Sequence, residues 1–145
     1  MMKNIQATMK ELFGNSCLAY CYAYISCKHK YNSEPTPQIL TSEVLHGWYA
    51  GHITDNGYVS KPVEYWNGMQ SSKFGRIKDI VKVPIKALSE LPTEGSWIVE
   101  FKKSVTDEAS HFVVATRSQV IFDPSGKSNT VRIGVPVSYR KLVWV

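Results

Sequence analysis

Apolar and aromatic residues occupy every side of the segment formed by residues 17–25. The turn-forming residues Gly14, Asn15 and Ser16 stand directly before it. Because a helix that is apolar all round is normally buried, this pattern predicts a central buried helix over residues 16–27. We expect the side chain of Asn15 or Ser16 to cap the first backbone N–H groups of this helix.

Shorter helical patterns lie on both sides of the central one. Residues 8–11 fit a capping box and predict one short helical turn within residues 1–13. Residues 28–37 are polar and contain two prolines, which predicts a loop. A second helix is then expected from Thr41 or Ser42 to residue 49, and a third from Pro62 to residue 68.

The second half of the chain consists of short runs rich in strand-forming residues and separated by turns. These runs cover residues 74–83, 97–101, 111–115, 119–123, 131–137 and 141–145. Helices followed by strands indicate an α+β fold, in which the N-terminal central helix packs on a C-terminal antiparallel sheet of four to six strands.

Length and composition are those of one ordinary globular domain. The 145 residues are long enough for one core, so residues 1–145 are expected to form a single domain. The chain has no apolar run long enough to span a bilayer. Because residues 1–6 lack the apolar core of a secretory signal, we expect a cytoplasmic protein or one exported by a route that needs no cleavable signal.

The charge and the cysteines exclude several classes of site. The formal charge is +5, but the basic residues are scattered, so no specific nucleic-acid partner is expected. The three cysteines do not form a disulfide framework. Cys27 and His29 have no second pair at zinc-site spacing, so no metal site is predicted.

Cys17 opens the central helix and is the first candidate for chemistry. The positive end of a helix dipole stabilises a thiolate at this position, although a small core residue is the alternative interpretation. A thiol nucleophile needs a base that a third group orients. His111 begins one strand and Asp123 ends the next, so a hairpin would make them neighbours; alone, they would be a surface histidine and a turn residue.

The order Cys, His, Asp along the chain resembles that of the papain-like cysteine peptidases. Residues 110–114 (Ser-His-Phe-Val-Val) and 121–126 (Ile-Phe-Asp-Pro-Ser-Gly) look closest to the branch that processes bacteriocin leader peptides, which has small relatives in bacteria and phages. The resemblance implies a papain-like fold and a cysteine peptidase or amidase acting on a peptide or protein substrate. Cys17 would be the nucleophile, His111 the base and Asp123 its orienter, with no cofactor.

Two positions depart from the family pattern. Leu18 follows the nucleophile, where the family often has glycine, and Glu11 stands at the spacing of the family's oxyanion-hole glutamine. A carboxylate there would repel a developing oxyanion. Gln6 is predicted to supply this donor if residues 9–13 loop out, and Asn15 is the alternative donor.

The departures leave two rival functions open. A binding module that keeps the papain fold but has lost its oxyanion hole is favoured by Glu11. An amidase acting on cell-wall peptides fits the basic charge, although the chain has no wall-binding repeat.

Overall fold

The computed structural model describes residues 5–126 and 128–145, except for the side chains of residues 5–8 and 73. Within these residues the chain forms five α-helices and one antiparallel sheet of five strands, which confirms the α+β class. In chain order the elements are α1 (Ile5–Gly14), α2 (Cys17–Tyr31), α3 (Pro37–Tyr49), α4 (Pro62–Met69), β1 (Ile77–Pro84), β2 (Trp97–Lys102), β3 (His111–Ala115), β4 (Val120–Phe122), α5 (Asn129–Ile133) and β5 (Val135–Trp144).

Helix α2 is the buried centre of the helical layer, as its apolar pattern predicts. The Tyr24 ring stacks on the Phe122 ring of β4 with a centroid distance of 4.4 Å. On the other side, the Tyr65 hydroxyl of α4 donates a hydrogen bond to the Ala19 carbonyl at 3.4 Å. These contacts belong to the buried part of the helix, whereas its last residues, 29–31, are exposed.

Two predicted helix boundaries are wrong, one because the polar last turn of α2 resembles a loop and the other because Thr41 and Ser42 resemble helix caps but lie inside α3. Helix α2 continues to Tyr31 and ends at Asn32, which adopts the left-handed conformation with φ of 53°. Helix α3 begins at Pro37, where a fixed φ suits the first helical position, and its cap is Thr36, whose hydroxyl accepts from the Ile39 N–H at 3.3 Å. The predicted start at residues 41–42 is therefore inside the helix.

The sheet has the strand order β1-β5-β2-β3-β4, and every pair is antiparallel. The two strands predicted at residues 131–137 and 141–145 are instead helix α5 followed by one long strand, β5. Ser128 explains the error, because its hydroxyl accepts from the Val131 N–H at 3.3 Å and caps α5. The β-branched residues of this segment had favoured a strand.

Both faces of the sheet are covered by apolar packing. One cluster, which includes Ile98 and Val114, joins the sheet to α2, α3 and α4. A second cluster on the opposite face includes Val99 and Val113. Within the described part of the chain, no helix combines the length and hydrophobicity that crossing a membrane requires.

Candidate active site

Cys17 is the first residue of α2, and its position is set by the junction between α1 and α2. Ser16 is fully buried there, and its hydroxyl donates to the Phe13 carbonyl at 3.3 Å. The Asn15 amide donates to the Glu11 carbonyl at 3.3 Å. Both side chains thus bond back to α1, and the expectation that Asn15 or Ser16 caps α2 is wrong for the described contacts, because Ser16 makes no side-chain cap.

The missing cap has a chemical consequence. The first amides of any α-helix have no acceptor four residues earlier in the same helix. At α2 these amides include the N–H of Cys17, which faces no capping hydroxyl from Ser16. Uncapped amides at the positive end of a helix form a favourable place for a negative charge.

A tight turn at Gly57 packs closely against the junction between α1 and α2. Gly57 has a φ of +90°, and a Cβ there would lie 2.6 Å from the Leu12 carbonyl oxygen and 2.9 Å from the Asn15 carbonyl carbon. Only glycine fits this approach without displacement. The next residue, Tyr58, is held by two hydrogen bonds to Thr54. The Tyr58 carbonyl accepts from the Thr54 N–H at 2.8 Å, and the Tyr58 N–H donates to the Thr54 hydroxyl at 3.1 Å.

His111 and Asp123 are in contact, as the hairpin spacing predicts. His111 begins β3, and Asp123 follows β4 directly. Because an ionised carboxylate only accepts hydrogen bonds, the His111 Nε2–H donates to Asp123 Oδ1, at 2.7 Å. Only 13% of the His111 side chain and 7% of the Asp123 side chain are exposed, so His111 is not a surface histidine. Asp123 also begins a turn, because its carbonyl accepts from the Gly126 N–H at 2.9 Å.

Backbone amides hold Asp123 in place. Its Oδ1 accepts from the Ser125 N–H at 2.9 Å, and its Oδ2 accepts from the Ser128 N–H at 3.2 Å. Both bonds hold the carboxylate in the position in which it accepts from His111. This is the arrangement expected of a group that orients an imidazole.

The pKa of His111 depends on Cys17 as well as on Asp123. A hydrogen bond with the Cys17 side chain is the largest cause that raises the pKa of His111. Burial of the ring lowers this pKa, the hydrogen bond to Asp123 raises it, and the net pKa is above the usual histidine value. The bond to Asp123 uses Nε2 of His111 and leaves the other ring nitrogen, Nδ1, free of this carboxylate. Cys17 and His111 line the same cleft, and Asp123 is bonded to His111.

An open cleft of about 480 Å³ surrounds Cys17 and His111. One wall carries residues 57–59 and the other carries residues 108–112. The full lining consists of Gly14, Asn15, Cys17, Leu18, Gly57, Tyr58, Val59, Glu108, Ala109, Ser110, His111, Phe112 and Ser125.

A buried carboxylate anchors the wall that carries His111. Glu100 accepts hydrogen bonds from the hydroxyls of Ser110, at 2.5 Å, and Ser138, at 2.7 Å. Burial raises the pKa of Glu100, but these serines and the nearby charges of Lys82 and Arg140 lower it, and the net pKa is below the usual value. Sequence reasoning missed this residue, although a single acidic residue within the apolar run 97–101 was a visible signal.

Of the two predicted oxyanion donors, Gln6 and Asn15, only Asn15 is among the described residues that line the cleft. Gln6 belongs to α1, but its side chain lies outside the described part of the structure. Residues 9–13 are helical and do not loop out, so the condition set for Gln6 is not met. Glu11 is exposed and is not among the residues that line the cleft, whereas Asn15 is.

The other two cysteines are buried. Cys21 has no exposed surface and Cys27 has 5% exposed. Burial is the largest cause that raises the pKa of each of these thiols. All three cysteines are free thiols, and no group of metal-binding side chains occurs among the described residues.

The chain was also compared with known proteins. No protein-family model, curated protein or solved structure matches it. The case for a function therefore depends on the geometry around Cys17.

Proposed function

We propose that this protein is a papain-like cysteine hydrolase that cleaves a peptide or amide bond. The observation that carries the proposal is the position of His111, which is hydrogen-bonded to Asp123 at 2.7 Å and lines the same cleft as Cys17. The side chain of Cys17 is also the largest cause that raises the pKa of His111. A nucleophile, a base and an orienting carboxylate in this order are what covalent acyl transfer requires.

In the proposed reaction each of the three residues has one role. The Cys17 thiolate attacks the substrate carbonyl, and the protonated His111 gives its proton to the leaving amine as the C–N bond breaks. Water then attacks the resulting thioester, and His111 takes a proton from that water. The C–S bond breaks, the carboxylic acid product departs, and Cys17 is regenerated as the free thiol or thiolate. Asp123 keeps the imidazole oriented in both steps.

The backbone N–H of Cys17 is the first oxyanion donor in this mechanism. It lies at the uncapped start of α2, where the helix dipole also favours a negative charge. Asn15 is the second donor that the geometry favours, because it lines the cleft beside Cys17. Its amide has two hydrogens, and only one is needed for the bond to the Glu11 carbonyl.

A non-catalytic binding cleft is the rival that one observation favours. Glu11 stands where the resembled family has its oxyanion-hole glutamine, so that donor is missing here. Glu11 is exposed and outside the cleft lining, however, and its carboxylate is therefore not placed to repel an oxyanion. The amidase acting on cell-wall peptides would use the same three residues, so substrate tests must separate it from a peptidase.

Hydrolysis of mixed substrates by the purified protein tests this proposal. N-acetylated peptide pools and isolated cell-wall peptides would be incubated with the wild type, Cys17→Ala and Cys21→Ala, and new amino termini counted by mass spectrometry. Cleavage that is lost in Cys17→Ala and kept in Cys21→Ala, the matched control at a buried thiol, supports the hydrolase. Binding of an uncleaved peptide with equal affinity to all three proteins would instead support the binding module.

A further inference from the structure

The two walls of the cleft differ in chemistry near Cys17. Tyr58 lines one wall and is 62% exposed, so its ring is free to meet a ligand. Glu108 lines the other wall and is also exposed. Among the described lining residues Glu108 is the only carboxylate, and none is lysine or arginine.

Both walls are held in place by contacts that do not involve a substrate. On the first wall, Ile53 and Val59 form an antiparallel bridge around the turn that presents Tyr58. On the second wall, the Asp107 carboxylate accepts from the Ala109 N–H at 3.1 Å, and Ser110 is bonded to the buried Glu100. Tyr58 and Glu108 are therefore presented by ordered backbone on either side of the nucleophile.

Apart from the proposed catalytic residues, the only charged side chain among the described lining residues is opposite in sign to the net charge of the whole chain. The chain carries a net charge of +5, which would weakly repel a basic ligand elsewhere on the surface. Glu108 reverses this locally, and no described residue forms an ion pair with it. A carboxylate and an exposed aromatic ring that line the same cleft both attract an ammonium or guanidinium group.

We propose that Glu108 and Tyr58 select a substrate with a lysine or arginine side chain close to the scissile bond. This inference rests on the proposed function. The carboxylate of Glu108 would pair with the cation, and the Tyr58 ring would cover its aliphatic stem or its charged head. The free amino terminus of a peptide carries the same charge, so acetylated substrates are needed to separate the two sources.

Charge reversal at Glu108 tests the inference. N-acetylated, C-amidated fluorogenic peptides would carry lysine, glutamine or glutamate at each position beside the scissile bond. For the wild type we expect kcat/KM to be on the order of tenfold higher for the best lysine peptide than for its glutamate counterpart, as a partly exposed ion pair allows. Glu108→Lys should reverse this order, while Glu94→Lys, the same change at an exposed site outside the cleft lining, should preserve it.

Variants at Tyr58 separate the ring from the hydroxyl. Tyr58→Phe should keep the lysine preference, and Tyr58→Leu should reduce it by about two- to fivefold, the size of an exposed cation–π contact. Equal kcat/KM for the three peptides, or equal effects of Glu108→Lys and Glu94→Lys, would overturn the inference while leaving hydrolysis intact.

A second readout keeps the inference testable if no peptide is cleaved. Cationic and anionic methanethiosulfonates react with thiols without enzymatic turnover, so their rates at Cys17 report the charge around it. We expect the cationic reagent to react faster than the anionic one, with the ratio falling by about tenfold in Glu108→Lys. A ratio unchanged by Glu108→Lys would overturn the inference, whereas loss of cleavage in Cys17→Ala concerns only the proposed function.

Discussion

At the scale of single residues, His111 is the group whose state controls the proposed chemistry. Its pKa is raised by the hydrogen bond with Cys17, lowered by burial, and raised by Asp123. A histidine whose folded-state pKa is raised stays protonated to a higher pH than usual and loses its proton as the pH rises through that pKa. The imidazolium needed to protonate the leaving amine therefore persists above the usual histidine range.

The first prediction concerns this proton. Asp123→Asn removes a negative charge that raises the pKa of His111, so the alkaline limb of the profile of kcat/KM against pH should move to lower pH. Asp107→Asn is the matched control, because Asp107 bonds to the Ala109 backbone and not to His111. An alkaline limb that stays in place in Asp123→Asn would argue against its contact with a catalytic imidazole.

The second prediction concerns the oxyanion. Replacing Asn15 with alanine should slow kcat by about 10²–10³, the loss typical of one oxyanion-hole donor. Gln6→Ala should leave kcat nearly unchanged, since Gln6 lies about two helical turns before the end of α1. Steady-state kinetics of both variants decide the matter, and the reverse pattern would assign the donor to Gln6.

At the scale of elements, the site depends on how the turn around Gly57 seats the junction of α1 and α2. Gly57 lies against the backbone of Leu12 and Asn15, immediately before Cys17. The turn itself was predictable from the sequence Asp55-Asn56-Gly57. Its contact with the junction was not, because nothing local in the sequence says which distant backbone a glycine will approach.

The third prediction tests that contact. Gly51→Ala and Gly57→Ala both place a side chain at positive φ, which costs roughly 1–2 kcal/mol. Only at Gly57 would the new Cβ also meet backbone atoms below 3 Å, which should add a further ~1–3 kcal/mol to the loss in the free energy of unfolding. Urea denaturation of both variants gives the difference. Equal losses in the free energy of unfolding for the two variants would mean that the turn does not pack closely against the junction between α1 and α2.

Local sequence patterns predict some of the helices and strands and miss others. The buried helix α2 and the hairpin of β3 and β4 depend on local patterns, and the contact between His111 and Asp123 follows from the hairpin alone. The end of α2 is missed because the exposed residues of its last turn look like a loop, and the start of α3 is missed because Thr41 and Ser42 look as suitable for a cap as Thr36. Helix α5 was missed because a Ser128 cap outweighed the strand preference of its valine and isoleucine.

At the scale of the whole molecule, the sheet brings together residues that are distant in the chain. Cys17 comes from the helical layer, whereas His111 and Asp123 come from β3 and the end of β4. Their meeting depends on packing α2 across β3, and no spacing in the sequence specifies that packing. Glu100 is a further example, since its partners Ser110 and Ser138 lie on opposite sides of β2.

The measurement that tests the account most directly is alkylation of the folded protein by iodoacetamide at neutral pH, with each modified cysteine located by peptide mapping. Cys17 should react well before Cys21 and Cys27, since it is the partly exposed thiol that lines the cleft with His111 and the other two are buried with raised pKa values. His111→Ala should slow the reaction at Cys17 by at least about tenfold. Equal labelling of the three thiols, preference for Cys27, or a Cys17 rate unaffected by His111→Ala would contradict a thiol nucleophile paired with His111.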